Sequence, residues 1–417
     1  VAVVMKRLPD DQRLSSLITE GTATPAMMQE LGRLVADFHR RAETSPQIAH
    51  YGSLDVVRHN WDENFEQTEP FIGRTLTHRT WSRTREEIER FMRVYAHLFE
   101  QRITEGWIKD CHGDLQADDT FINPASGEAR VLDCIEFNER FRYSDTMSDI
   151  AFLSMDLRVR GRPDMARAFL NAYYDSSADR RNPALLRFYE SYRAYVRGKV
   201  RSFVIDQEGP SAEEKRAAAD EARRFFDLSL ADALGLRPRL VLFAGIMGSG
   251  KTRQSAELGH RADALVLHSD EVRKQLAGLK PDEEQKVPFG EGIYSAEWTE
   301  RTYGALIDAA RRELATGSSI VLDASWSSGA RRAAVRAVTE EYEALFAIVE
   351  CSAPEVVLRE RLSKPRRKVT DGRIELLNDQ RAAYEAPDDG EADLVIRIDT
   401  SGSFEDAAAR VHETLFH

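Results

Sequence analysis

The chain has 417 residues, 42% hydrophobic and 31% charged, an ordinary globular composition with length for two or three domains of roughly 150 residues. Its 58 basic and 70 acidic residues leave a formal charge of −12, spread evenly: 33 against 39 up to Leu236, and 25 against 31 beyond it. That balance disfavours a dedicated duplex-DNA binder, and no apolar run approaches the roughly 20 residues of a membrane helix.

Residues 1–5, Val-Ala-Val-Val-Met, read as a strand followed at once by Lys6 and Arg7, without a secretory signal pattern. A strand that opens the chain points to sequence missing upstream or to an alternative start. From about 25 to 105 the pattern is helical: Met28, Leu31, Leu34, Val35 and Phe38 recur at helical spacing, as do Ile88, Phe91, Val94, Tyr95 and Leu98. A loop-rich stretch with short strands runs from 108 to about 143, and 149–174 and 183–235 return to helix. The charged stretch 212–222 reads as a solvated helix face. Gly235 and Pro238 then stop the helix. From Leu240 the texture changes. Residues 240–244, 264–268, 319–322, 345–349 and 394–398 are short, β-rich apolar runs, separated by helical patterns such as 296–314 and 354–362. This alternation predicts a parallel α/β sheet covered on both faces. The expected organisation is an α+β domain with trailing helices over 1–236 and an α/β domain over 237–417. Three scattered cysteines, Cys111, Cys134 and Cys351, suit a reducing cytoplasm and exclude a disulfide scaffold.

Gly245, Ile246, Met247, Gly248, Ser249, Gly250, Lys251 and Thr252 fit G-x-x-x-x-G-K-[ST], after an apolar strand and before a helical pattern. Glycines let backbone amides curl around phosphate oxygens, and the following helix N-terminus adds its positive dipole end. Lys251 is placed to reach the β- and γ-phosphates of ATP, and the Thr252 hydroxyl to ligate Mg²⁺. Asp270 follows the next strand, with Arg273 three residues on. Such an acid lies in the crevice where α/β proteins bind ligands and suits proton abstraction from an acceptor hydroxyl, with Arg273 as an acceptor or phosphate contact. The plainer alternative is that Ser269 or Asp270 caps a helix. Asp323 ends a further strand and suits Mg²⁺ held through water, or else caps 324–328. The basic stretch Arg359, Arg361, Lys364, Arg366, Arg367 and Lys368 reads as a lid over the phosphates or as a solvated surface. Residues 289–295 lie where an acceptor-binding insert would sit, with Glu291 and Tyr294 as its candidates.

This half resembles small P-loop kinases of the gluconate-kinase, zeta-toxin and polynucleotide-kinase group, on the 245–252 loop, the Asp270–Arg273 pair and Asp323. The resemblance implies Asp270 as base and Arg273 as acceptor contact.

In the first half, Cys111-His-Gly-Asp114-Leu115 is followed by Asp119 and then by Asp133 in Leu132-Asp-Cys-Ile-Glu-Phe137. A catalytic-loop Asp, a metal ligand five residues later and a second metal-binding Asp beyond short strands is the protein-kinase spacing. Asp114 would orient or deprotonate an acceptor hydroxyl, and Asp119 and Asp133 would bind Mg²⁺. The alternative is a set of turn and cap residues. Residues 1–205 resemble aminoglycoside-phosphotransferase-like (choline-kinase-like) proteins, with Asp119 where the family has Asn and with the N-lobe cut short. Lys6 is the one lysine near the family's nucleotide-gripping position, and Val4 its rival. In the family, the acids of the stretch 143–151 (Asp145, Asp149) brace the catalytic loop. The whole chain resembles bacterial two-domain proteins that join such a domain to a C-terminal P-loop domain, which implies a bifunctional chain.

The reading is an ATP- and Mg²⁺-dependent cytoplasmic phosphotransferase acting on a small-molecule hydroxyl (sugar, sugar acid or nucleoside-like), with its working site in the P-loop domain. The alternatives are a regulatory ATP-binding protein without a small acceptor and a nucleic-acid 5′-end kinase, which the net charge disfavours.

Overall fold

The chain divides into two compact units, Val1–Leu236 and Arg237–His417, and the computed structural model describes residues 7–280, 291–363 and 377–416. The expected strand at 1–5, with Val4 and Lys6, lies outside the described residues. So do Lys364, Arg366, Arg367 and Lys368 of the basic stretch and the first two residues of the 289–295 segment.

The first unit is mainly helical. Thr24 caps the helix Pro25–Arg41 by accepting from the Met27 amide, and Pro25 supplies a preset φ at the first helical position. The apolar stripe Met28, Leu31 and Val35 packs against Phe169 and Tyr173 of the helix Pro163–Ser176. The helix Thr146–Val159 is buried along almost its whole length, so its sequence reads apolar all round. It lies beneath two antiparallel ribbons: β1 (Ile108–Asp110) with β4 (Tyr143–Asp145), and β2 (Thr120–Ile122) with β3 (Ala129–Val131). These ribbons fix the ends of the two loops that carry Asp114, Asp119 and Asp133. The helices Pro183–Phe203 and Ala212–Leu234 follow. Ser211 and Glu214 form a capping box at the start of the second one, the charged stretch read as a solvated face.

The second unit is a five-stranded, all-parallel sheet in the order β6-β7-β5-β8-β9: β5 Arg239–Ala244, β6 Leu265–His268, β7 Ile320–Asp323, β8 Leu345–Ser352, β9 Leu394–Asp399. The sequence reason is plain in β5. Leu240, Leu242 and Ala244 enter one core with Leu306, Leu314 and Trp326, while Val241 and Phe243 enter the other with Leu258, Val349 and Val411. Alternate residues face opposite sides, so a strand buried on both faces must be apolar throughout. The strand order reverses around β5, and the loop 245–250 leaves its carboxyl end, the place where open α/β sheets bind ligands.

Candidate active site

Register builds the site in the second unit. Phe243 pairs with Asp323 across β5 and β7, and His268 pairs with Asp323 across β6 and β7. Three strand ends therefore stop level, and the phosphate loop, Asp323 and His268 stand side by side. The Thr252 hydroxyl donates to Asp323 Oδ2 at 2.7 Å. His268 Nδ1 stands 2.8 Å from the same oxygen; since a carboxylate only accepts, the ring nitrogen is the donor. Burial pulls the His268 pKa down, but the hydrogen bond and charge of Asp323, with Glu271 and Asp270 adding, leave it raised. Asp323 caps nothing: 324–328 is not helical, and the next helix, Gly329–Glu341, starts beyond it.

The loop itself is a cradle. Gly245, Gly248 and Gly250 all have positive φ, the left-handed side that suits glycine. At Gly245 (φ +138°) a Cβ would also lie 2.4 Å from the Cys351 carbonyl oxygen. Lys251 Nζ donates to the Ile246 carbonyl at 3.0 Å, and the Met247 amide donates to Gln380 Oε1 at 2.8 Å. Ser249 Oγ is buried without a hydrogen-bond partner among the described residues. Arg361 grips the loop from outside, donating to the Gly248 carbonyl (3.0 Å) and to Thr400 Oγ1 (2.9 Å) and O (2.6 Å). Thr400 Oγ1 in turn donates to the Ser249 carbonyl at 2.7 Å. Converging amides, one lysine and an orphaned buried hydroxyl fit a polyphosphate, and the Thr252–Asp323 oxygens fit a hard divalent cation.

Asp270 and Arg273 lie on the helix Ser269–Leu276, which grows directly from β6 with no side-chain cap. Asp270 is half-buried. Arg273 is buried: its Nη1 donates to the Ile293 carbonyl at 2.8 Å, and its guanidinium lies over the Tyr294 ring at 5.2 Å. Arg273 thus holds the segment after Glu291 against the site wall. Of the basic stretch, Arg359 pairs with Glu355 at 2.8 Å and Arg361 serves the loop. His268, Gln380 and Thr400 received no role from sequence reasoning. His268 was open to the strand-end argument used for Asp270; Gln380 and Thr400 carry no local signal.

In the first unit a second polar site surrounds Gly113, whose φ is +82° and whose added Cβ would lie 2.7 Å from the Phe141 carbonyl oxygen. Asp149, fully buried, accepts from the His112 amide (3.1 Å), the Gly113 amide (2.9 Å) and His39 Nε2 (3.1 Å). Burial alone would raise its pKa, yet the His39 hydrogen bond and charge, with His112 and Arg193, bring it to about 2. Arg193 donates to the Gly113 carbonyl at 3.0 Å from the other side. Asp114 accepts from Gln116 Nε2 at 2.5 Å, and burial holds its pKa up against Arg193 and Arg197. The Leu132 amide donates to the Asp119 carbonyl at 2.9 Å, which draws the β3 end to the β2 start. Asp119 is raised to about 6, first by burial and then by the charges of Asp114, Asp133 and Asp118. Asp133 is exposed and left-handed at φ +64°, a conformation Asp tolerates better than most side chains.

Residues 240–387 match the family described as AAA domain. Over 410 residues the chain is 31% identical to the uncharacterized protein Rv2004c of Mycobacterium tuberculosis strain H37Rv, covering 98% of this chain and 80% of that protein. The uncharacterized protein Mb2027c of Mycobacterium bovis matches to the same extent. Among solved structures, an unliganded sugar kinase from a Janibacter species is 20% identical at a TM-score of 0.34, covering 43% of this chain and 94% of that one. The APS kinase CysC of Mycobacterium tuberculosis, in complex with AMPPNP and APS, is 21% identical at a TM-score of 0.33, covering 43% and 99%.

Proposed function

The chain belongs to the family of the mycobacterial protein Rv2004c, and on that premise we propose that it is an ATP-dependent, Mg²⁺-requiring phosphotransferase whose second unit phosphorylates a small-molecule hydroxyl. The observation that carries this reading is the convergence at the ends of β5, β6 and β7: a G-x-x-x-x-G-K-T cradle, the bonded Thr252–Asp323 pair and Asp270 at one edge of the sheet. Bound MgATP would supply the transferable phosphoryl group. The loop amides and Lys251 bind and orient its phosphates, and their fixed dipoles favour the charge that develops during transfer. Thr252 and Asp323 would hold the metal, and His268 keeps the Asp323 carboxylate turned toward Thr252. Asp270 receives the acceptor proton. Arg273, tied to the Ile293 carbonyl, shapes the acceptor wall. The acceptor class is a sugar, sugar acid or nucleoside-like molecule.

The first unit belongs in this proposal as an aminoglycoside-phosphotransferase-like site. Asp114 stands at its base position, Asp119 and Asp133 at its metal-ligand positions and Asp149 at the brace under the loop, while the transfer itself belongs to the second unit. Its support is the sequence spacing of the three acids together with the Gly113 turn, whose amide and that of His112 are held by the buried Asp149 carboxylate.

Transfer of the γ-phosphate of labelled ATP into a mixed pool of sugars, sugar acids, aminoglycosides, nucleosides and 5′-hydroxyl oligonucleotides tests the reading. A labelled small molecule is expected from the intact chain and from Asp114→Ala, and none from Lys251→Ala. Loss with Asp114→Ala alone moves the chemistry to the first unit. ATP binding with no labelled product overturns the phosphotransferase reading in favour of a regulatory ATP-binding protein.

A further inference from the structure

We propose that Gln380 is a built-in occupant of the phosphate position: its carboxamide oxygen caps the Met247 amide and is displaced when a nucleotide phosphate enters the loop. This rests on reading residues 245–252 as a nucleotide cradle, and it adds a device that no phosphate-loop pattern contains.

Two donors that the cradle offers to an anion are already on neutral oxygens. Lys251 Nζ donates to the Ile246 carbonyl within the loop, at 3.0 Å. The Met247 amide donates at 2.8 Å to a side chain 133 residues away. A backbone amide has one hydrogen, so Gln380 Oε1 and a phosphate oxygen compete for it. A phosphate oxygen makes the stronger, charge-assisted bond and takes the place, but the Gln380 bond is subtracted from its affinity.

Gln380 does not reach the loop by chance. Its helix, Leu377–Ala382, is seated by buried Leu377 and by Arg381, whose Nη1 donates to Glu355 at 3.1 Å. Just beyond it, Tyr384 OH donates to Glu350 at 3.2 Å. The Glu385 amide donates to the Ser327 carbonyl at 2.9 Å, and Glu385 Oε2 accepts from the Gly329 amide at 2.7 Å. Arg332, buried, donates to the carbonyls of both Trp326 (2.6 Å) and Glu385 (2.8 Å). One short segment therefore holds the phosphate loop through Gln380 and the turn after β7 through Glu385. Release of Gln380 by phosphate would loosen the segment's hold on the loop while its hold on the Ser327–Gly329 turn stays.

The test is ADP affinity, by calorimetry on the full chain, for the wild type, Gln380→Ala, Gln380→Glu and Lys251→Ala, with unfolding midpoints without nucleotide as the folding control. Gln380 is half-buried, so alanine leaves no core cavity. Removing a neutral competitor worth one ordinary hydrogen bond is expected to tighten ADP about three- to tenfold in Gln380→Ala. Gln380→Glu keeps the shape, caps the amide more strongly and repels phosphate, so it is expected to bind ADP more weakly than wild type. Amide exchange at 377–385 is expected to rise when ADP is added to wild type. Equal or weaker ADP binding by Gln380→Ala, in a protein whose binding still depends on Lys251, overturns the capping role and leaves the nucleotide site standing. Binding by Gln380→Ala where wild type shows none supports the cap in its strongest form. Absence of ADP binding in every variant overturns the nucleotide reading and the cap with it.

Discussion

Gly245 carries two constraints at once: φ +138° and a carbonyl oxygen 2.4 Å from where a Cβ would sit. The obstacle is Cys351 backbone in the adjacent strand β8, which cannot swing aside. Gly245→Ala is therefore expected to destabilise the second unit by about 2–4 kcal/mol and to abolish nucleotide binding, measured by denaturant unfolding and ADP titration. Asp149 is the matching case in the first unit. Its carboxyl has an ordinary value of 3.8 and a folded value of about 2. A lowered carboxyl contributes stability above the unfolded value and loses it as pH falls through the folded one, so about 2 kcal/mol disappears between roughly pH 4 and pH 2. Asp149→Asn puts an amide nitrogen against the His112 or Gly113 amide and is expected to cost at least about 2 kcal/mol at pH 7. The gap between the two proteins should narrow as the pH is lowered through that window. A gap independent of pH would mean that Asp149 acts by shape rather than charge.

At the scale of elements, three helices of the first unit, Thr146–Val159, Pro183–Phe203 and Ala212–Leu234, meet over one buried charge cluster. Arg158 donates to Glu190 at 2.7 Å and to Asp232 at 2.8 and 3.0 Å, and Ser154 donates to Glu190 at 2.5 Å. One guanidinium faces two carboxylates. Burial pushes Glu190 up to about 7, with Arg158 opposing and Asp232 adding. An acid that holds its proton in the fold but ionises near 4.5 when unfolded makes stability fall as pH rises between those values. Denaturation midpoints of the first unit are expected to drop from pH 5 to pH 7.5 in wild type and to drop less in Glu190→Gln, where the raised Asp119 alone of these two acids remains. The same helices show where sequence reading reaches and stops. Their existence follows from apolar spacing and caps such as Asn182 and Ser211. That Arg158 must satisfy carboxylates on two other helices follows only from their packing, since ion pairs across 32 and 74 residues leave no periodic trace.

Over the whole molecule, each unit has its own core: Leu31, Leu153 and Phe169 in the first, Leu240, Leu322 and Ile348 in the second. Two thermal transitions are expected in calorimetry. ADP at about 100 times its Kd should raise only the transition of residues 237–417, by about 2.7 kcal/mol of apparent stability. A shift of both transitions together would mean that the units unfold as one. The sequence by itself determined the features whose physics is local. An apolar run between two cores specifies β5, glycines at fixed spacing specify the phosphate loop, and strand ends place Asp323 at the end of β7 and Asp270 just beyond β6. The spacing of Asp114, Asp119 and Asp133 is local in the same way, since all three lie on the loops on either side of the β2–β3 ribbon. Only the tertiary structure decided which partners complete these groups. His268 beside Asp323 follows from strand register, and Arg273 under Ile293 from a loop's return. Gln380 on Met247 is the extreme case, 133 residues apart. Hydrogen bonds of this kind join residues far apart in the chain with no pattern around either one, and burial makes them obligatory only after the fold has brought them together.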